Sequence, residues 1–379
     1  MVRTVGVTGT NGKTSTTTFI AAALARIARP VARITTLGFF LDDEEVPLPA
    51  SHEGALELAR MATARGGKFA AVEYTSEALA RGYAALWPAE IAVFTNLTHD
   101  HLDAHRSAEH YLASKAQLFM QLPSHGVAIL NGCDPSSALI AEVIPNGVRV
   151  ISYGVASRGE PVMKVDHFAE HVRVDWSGTS IDGLRTRAIG EVFAENALAA
   201  YLAAIAAGAP AEDAADAIAQ ALPPPGRFEV VADRVVVDYA HTPDALTRTL
   251  QTARSLCAGR LWVVFGAGGN RDADKRAPMG RAASLADHVV LTTDNPRDED
   301  PRSIASAVRA GITVDVAEEP DRARAIAYAI ERMGGDDVVV IAGKGHERTQ
   351  TIAGHTIPFD DGGIARGIVG TAGLRPRPG

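Results

Sequence analysis

Cysteine is nearly absent from this chain. Its 379 residues carry two, Cys133 and Cys257, too few for a disulfide framework and without the spacing of metal ligands. That excludes a disulfide-stapled secreted scaffold and fits a reducing compartment, the cytoplasm. Positive charge is not in excess either. Lys and Arg number 37 against 45 Asp and Glu, a net charge of -8, which argues against a nucleic-acid partner needing a basic face. No apolar run approaches the ~20 residues that cross a bilayer, and the opening MVRTVGVTGT lacks the zones of a secretory signal. No membrane contact is therefore expected. What remains is 46% hydrophobic and 22% charged, ordinary for a globular protein and long enough for two cores.

The most informative segment is TVGVTGTNGKTSTTT at 4–18. It reads as a short apolar strand, a loop with glycines at 6, 9 and 12, and Lys13-Thr14 opening a helix. Such a loop lets backbone N–H groups approach a polyphosphate, and the helix that follows offers its unpaired N–H groups and positive dipole end to the same anion. Lys13 would reach the β/γ-phosphates and the Thr14 hydroxyl would ligate magnesium. The strict P-loop pattern wants glycine at 7, where Val7 stands, so the match is to the variant Gly-x-x-Gly-x-x-Gly-Lys-Thr. Gly9, Thr10, Asn11, Gly12, Lys13, Thr14 and Ser15 are the candidate ATP-binding segment. The bland alternative is a glycine-rich turn without a ligand.

Short β-branched runs alternate with alanine-rich helical stretches, the pattern of an α/β protein with mainly parallel sheets. Strands are expected near Val5–Thr8, Val31–Thr35, Phe69–Glu73, Ile91–Thr95, Val127–Leu130 and Val148–Ser152, with helices between them. Met163–Arg187 reads as an antiparallel meander. The one clear linker is Pro223-Pro224-Pro225-Gly226, because three prolines cannot continue a helix. It divides an ATP-binding domain, 1–222, from a smaller Rossmann-like α/β domain, 223–379, whose strands are expected at Val230–Asp238, Leu261–Phe265, His288–Thr292 and Val338–Ile341. The tail RPRPG is expected to lack order.

A second informative block, TNLTHDHLDAHRSAEHYLASK at 95–115, holds four histidines and two aspartates. Zinc would want three or four convergent ligands, and the spacing selects no particular set. A solvated polar loop is the alternative without metal. A P-loop upstream already calls for a hard cation with oxygen ligands, so magnesium is expected, with Glu73 at a strand end as partner to Thr14.

These stretches belong to a longer series: GTNGKTS at 9–15, VEYTS at 72–76, FTNLTHDHLDAH at 94–105, SKAQLF at 114–119 and AENALAA at 194–200. It continues with PGRFEV at 225–230, VVDYAHTPDAL at 236–246, FGAGGNRDADKR at 265–276, DNPR at 294–297 and GKGHE at 343–347. In this order they resemble the Mur ligase family, the ATP-dependent amide ligases that build the peptidoglycan stem peptide. Within it the chain looks most like the members that add meso-diaminopimelate.

The resemblance implies that Lys13 and Thr14 hold phosphates and one magnesium, to which Glu73 contributes, and that His101 ligates a second. Lys115 matches the lysine that carbon dioxide carbamylates, turning an amine into a carboxylate-like group beside the metal; a lysine whose pKa is lowered by burial has the free amine this needs. Asn196 resembles the adenine contact. Arg227 and Asp238 resemble residues that reach the nucleotide from the C-terminal domain on closure, with His241 beside them. Arg271, Asp294, Asn295, Arg297, Gly343 and Glu347 resemble the contacts to the diamino diacid, Arg297 gripping a carboxylate and Glu347 suited to an ammonium. Without the family, DNPR would read as an exposed turn and Lys115 as a surface lysine.

Four features depart from the family. Its N-terminal domain, which holds the UDP end of the substrate, has no counterpart. Its Asn-Thr-Thr-Pro stretch reads PLPASHEGALELA at 47–59. Its Ser-Ser-His and Gly-Gly-Asp-Arg read Thr75-Ser76-Glu77 and Gly268-Gly269-Asn270-Arg271. The expectation is an ATP- and magnesium-dependent ligase joining a carboxylate to an amino acid, with a non-standard acyl donor or a partner protein in place of the missing domain. The alternatives are a relative outside cell-wall synthesis, of the polyglutamate, cyanophycin or cofactor-amidating type, and a non-catalytic ATP-binding partner protein.

Overall fold

The computed structural model describes residues 2–98, 107–270 and 272–371. The chain divides into two compact units, Met1–Pro224 and Pro225–Gly379. In the first, nine strands form one sheet. Its order is Glu44–Glu45, Gly38–Leu41, Ala32–Thr35, Phe69–Glu73, Arg3–Thr8, Ile91–Phe94, Val127–Asn131, Arg149–Val155 and His167–Ala169. Gly38–Leu41 and Glu44–Glu45 add antiparallel at one edge and the other pairings are parallel.

The central strands, Phe69–Glu73 and Ile91–Phe94, are buried at every position. That is why they read as unbroken apolar runs: helices cover both faces of a parallel sheet. The helix Lys13–Leu24 buries Phe19, Ile20, Ala23 and Leu24. Val172–Asp175, Gly178–Ile181 and Leu184–Thr186 make a small antiparallel sheet, within the stretch expected as a meander. His167–Ala169, from the same stretch, instead pairs parallel to Arg149–Val155 in the large sheet.

The second unit has a six-stranded sheet in the order Glu229–Ala232, Val235–Asp238, Val338–Ala342, Leu261–Phe265, His288–Leu291 and Val316–Glu318. Only the first pair is antiparallel. One sequence expectation needs correcting here. Val230–Asp238 is a hairpin and not a single strand, turning at Asp233-Arg234, where Arg234 takes φ 59°. The core beneath this sheet sets Val237, Val264, Val290, Val339 and Ile341 against Ala325, Ile326, Ala329 and Ile330 of the helix Arg322–Arg332.

Crossing that core is an ion pair with no solvent exposure. Arg322 donates to both carboxylate oxygens of Asp361, at 2.8 and 2.7 Å, and to the Ala342 carbonyl at 2.9 Å. It ties the end of the Val338–Ala342 strand to the start of the helix Asp361–Thr371. No helix among the described residues is long and apolar enough to cross a membrane.

Candidate active site

Val7 is paired with Glu73, so the Glu73 carboxylate emerges one strand over from the loop that follows Thr8. In that loop Gly9 has φ 152° and Gly12 φ 86°, conformations that favour glycine. A Cβ at Gly9 would collide with the Thr95 hydroxyl, and one at Gly12 with the Asn196 amide oxygen. Gly12 is the N-cap of the helix Lys13–Leu24 and no side chain caps it, so the positive end of the helix dipole faces this loop.

The loop is pinned from the neighbouring strand end. The Thr10 N–H donates to the Asn96 carbonyl at 2.8 Å and the Asn11 N–H to the Asn96 side-chain oxygen at 2.9 Å. Thr95 Oγ1 donates to the Asn11 carbonyl at 2.7 Å. The Lys13 ammonium lies on the Thr10 carbonyl at 2.8 Å, curled back over the loop it would share with phosphate. Thr14 Oγ1 donates to Glu73 Oε2 at 2.9 Å, and the Thr36 N–H reaches the same oxygen at 3.2 Å. Thr14 and Glu73 are both buried, giving a fixed pair of hard oxygens.

Lys115 sits on the helix Ala108–Met120, which Ser107 caps by accepting from the His110 N–H. Its side chain is 1% exposed, so the surface reading fails. The Nζ donates to the Gly9 carbonyl at 2.7 Å and lies 4.2 Å from the Tyr111 ring centre. The structure thus brings Gly9 to Ser15, Glu73, Lys115 and Asn196 together. His101 and the histidine-rich segment lie outside the described residues, as do Arg271 and the RPRPG tail. Among the described residues no three His, Cys, Asp or Glu converge as a metal cluster.

In the second unit the candidates collect at the C-terminal ends of the parallel strands, where open α/β sheets bind ligands. Asp238 accepts from the Phe228 N–H at 2.6 Å, the Ala240 N–H at 2.9 Å and Thr249 Oγ1 at 3.0 Å. Burial pushes its carboxyl above the usual range, and these donors and the Arg227 charge pull the other way. The Arg227 guanidinium stacks 4.7 Å over Tyr239, whose carbonyl lies 2.9 Å from His241 Nδ1.

Asp294, Asn295, Arg297, Gly343 and Glu347 form the other group. Asp294 is buried and so is Pro296, so DNPR is not an exposed turn. Burial raises the Asp294 carboxyl, opposed by the charges of Arg322 and Lys344. Arg297 takes φ 52°, unusual for a residue with a side chain, and is pinned by backbone bonds to Thr351 and Ala353. Its guanidinium donates to the Gly269 carbonyl at 2.6 Å and the Asn295 carbonyl at 3.4 Å. Asn295 Nδ2 donates to Glu347 Oε2 at 2.9 Å. Sequence reasoning passed over Thr36, Asn96 and Lys344, although Asn96 and Lys344 stood inside quoted motifs.

Two family models match successive parts of the chain. The Mur ligase middle domain model matches residues 7–204, and the Mur ligase, glutamate ligase domain model matches residues 226–345. The chain is 37% identical over 390 residues to a UDP-N-acetylmuramoyl-L-alanyl-D-glutamate--2,6-diaminopimelate ligase of Geobacillus kaustophilus, a match spanning 96% of this chain and 78% of that protein. A solved structure of a ligase of the same name superposes with a TM-score of 0.68 at 33% identity, covering 98% of this chain and 79% of that one. Mycobacterium tuberculosis folylpolyglutamate synthase, complexed with ADP and AMPPCP, shares the fold, with a TM-score of 0.71 at 20% identity over 99% of this chain and 92% of that chain.

Proposed function

From a chain that belongs to the Mur ligase family, and is therefore an ATP-dependent, amide-forming ligase, we propose the addition of meso-diaminopimelate to a peptide-like carboxylate. The acyl donor named in its relatives, UDP-N-acetylmuramoyl-L-alanyl-D-glutamate, is the first candidate. A carboxylate oxygen of the donor attacks the γ-phosphorus of ATP, breaking its bond to the β–γ bridging oxygen and releasing ADP. The acyl phosphate formed is attacked at its carbonyl carbon by the amine. The amide forms, and phosphate leaves with the former carboxylate oxygen.

The loop Gly9–Ser15 suits a polyphosphate because its two positive-φ glycines let the backbone pack against Thr95 and Asn196, where a Cβ would collide, ahead of a helix N-terminus. Lys13 supplies positive charge where the transferring phosphoryl gathers negative charge. Asn196, Arg227, Asp238 and His241 are assigned to the nucleotide. The buried oxygens of Thr14 and Glu73 fit a hard cation such as magnesium, which His101 and a carbamylated Lys115 would also hold. Bound there, magnesium would neutralise charge on the phosphoryl group. These residues hold the acceptor oxygens in place before reaction, so little reorganisation is needed during it.

The amine assignment is carried by one observation: Arg297, held at a positive φ, and the Glu347 carboxylate are joined through Asn295. An amino acid has the complementary pair of charges. Arg271 and Asp294 are assigned to the same substrate. Arg297→Ala should cost about 2–4 kcal/mol, roughly thirty-fold to a thousand-fold in kcat/KM for diaminopimelate, because a recognised carboxylate loses its partner. Steady-state kinetics across candidate amines, with the amide product identified by mass, checks this. An unchanged kcat/KM in the variant would remove Arg297 from the site, and amide formation with an unrelated amine would overturn the substrate assignment.

A further inference from the structure

The end of the Val338–Ala342 strand carries a lysine that none of the assignments above uses. Lys344 has no solvent exposure. A buried ammonium is costly unless acceptors surround it. Its two acceptors are Glu347 Oε2 at 3.1 Å and Asn295 Oδ1 at 3.2 Å. Asn295 closes the triangle, since its Nδ2 donates to the same Glu347 oxygen at 2.9 Å. The orientation of that amide is fixed from the other side, because the Thr351 N–H also donates to Asn295 Oδ1, at 2.9 Å.

We propose that Lys344 is a positioning residue for amine recognition: it saturates Oε2 of Glu347, fixes the carboxylate plane, and leaves Oε1 as the one oriented acceptor for the ammonium of the incoming amino acid. The inference rests on the assignment of the amine to Asn295 and Glu347. The backbone supports it. Gly343 and Gly345 have φ 113° and 54°, and the Glu347 N–H closes back on the Lys344 carbonyl at 2.9 Å. This tight turn sends residue 344 inward and residue 347 toward the surface, where the Glu347 side chain is 33% exposed.

The charges nearby make the sign of the effect informative. Arg322 and Lys344 face Asp294, Glu347 and Asp361, so two cations stand against three carboxylates. If Lys344 only tempered that negative charge, removing it would strengthen ammonium binding. If it positions Glu347, removing it weakens binding despite the added negative charge.

The test is steady-state kinetics with diaminopimelate varied and ATP and UDP-N-acetylmuramoyl-L-alanyl-D-glutamate fixed. It uses Lys344→Met, Glu347→Gln and the double variant. Lys344→Met should raise KM for the amine at least about tenfold, the scale of a lost hydrogen bond to a charged group, with KM for ATP unchanged and kcat within about threefold. In the Glu347→Gln background the same change should add less than about twofold, because the lysine acts through that carboxylate. An unchanged or lowered amine KM in a folded Lys344→Met protein overturns the proposal, as does a full additional effect in the double variant. If Glu347→Gln itself leaves the amine KM unchanged, the amine-site assignment falls and the inference with it. Should Lys344→Met not fold, the amine-bound wild-type structure decides. Lys344 is expected on Oε2 with the ligand ammonium on Oε1, and a lysine that touches the ligand or turns away overturns the proposal.

Discussion

Lys13→Ala should reduce amine-dependent ADP release by at least about a hundredfold while leaving the fold intact. Removing one preorganised electrostatic contact to a transition-state charge costs on that scale, and phosphoryl transfer offers the protein little else to do. The folded-state cost should be small. The Lys13 ammonium is bonded to the Thr10 carbonyl of its own loop, and the side chain is only part-buried. Truncation should therefore change stability by less than about 1 kcal/mol. Coupled measurement of ADP and thermal unfolding midpoint checks both halves. Turnover at the wild-type rate would remove the loop from the ATP site.

The second large effect is expected at Lys115. Lys115→Ala should lose most activity, and short carboxylic acids such as formate or acetate should restore part of it. The carbamate forms when the amine nitrogen attacks the carbon of carbon dioxide and gives up a proton, which places oxygen where a hard cation can use it. An ammonium cannot do this. The position suits the chemistry: Lys115 is buried, and its Nζ reaches the Gly9 carbonyl of the loop proposed to hold phosphate. A carbamate resonance from isotope-labelled bicarbonate, lost in the variant, would confirm the modification directly. Full activity of Lys115→Ala without added acid would show that the lysine has no part in the metal site.

Much of the architecture was legible because the physics behind it is local. Phe69–Glu73 and Leu261–Phe265 match their expected bounds residue for residue, since a strand buried on both faces reads as a largely apolar run. The hairpin at Glu229–Ala232 and Val235–Asp238 was not legible. Its turn, Asp233-Arg234, lacks the Asn-Gly or Gly-Gly signal of a two-residue loop, and the positive φ falls on arginine. The short strands Gly38–Leu41 and Val316–Glu318 escaped because three or four residues carry no period.

The site divides the same way. Gly9 to Ser15 could be read from glycine placement, whereas Asn96 could not, because its role depends on a loop 85 residues away. Arg322 and Asp361 lie 39 residues apart, and nothing local marks either as buried. Lys344 was hidden for the opposite reason. It stands in a quoted motif, but only the fold shows that its ammonium points inward.

The central claim is that carboxylate activation passes through an acyl phosphate. Its most direct measurement follows a heavy-oxygen label from the carboxylates of the acyl donor during single-turnover amide formation. The account predicts one labelled oxygen in the released inorganic phosphate, in step with ADP, and none in the nucleotide. Amide formed with unlabelled phosphate, or label recovered in AMP, would contradict it.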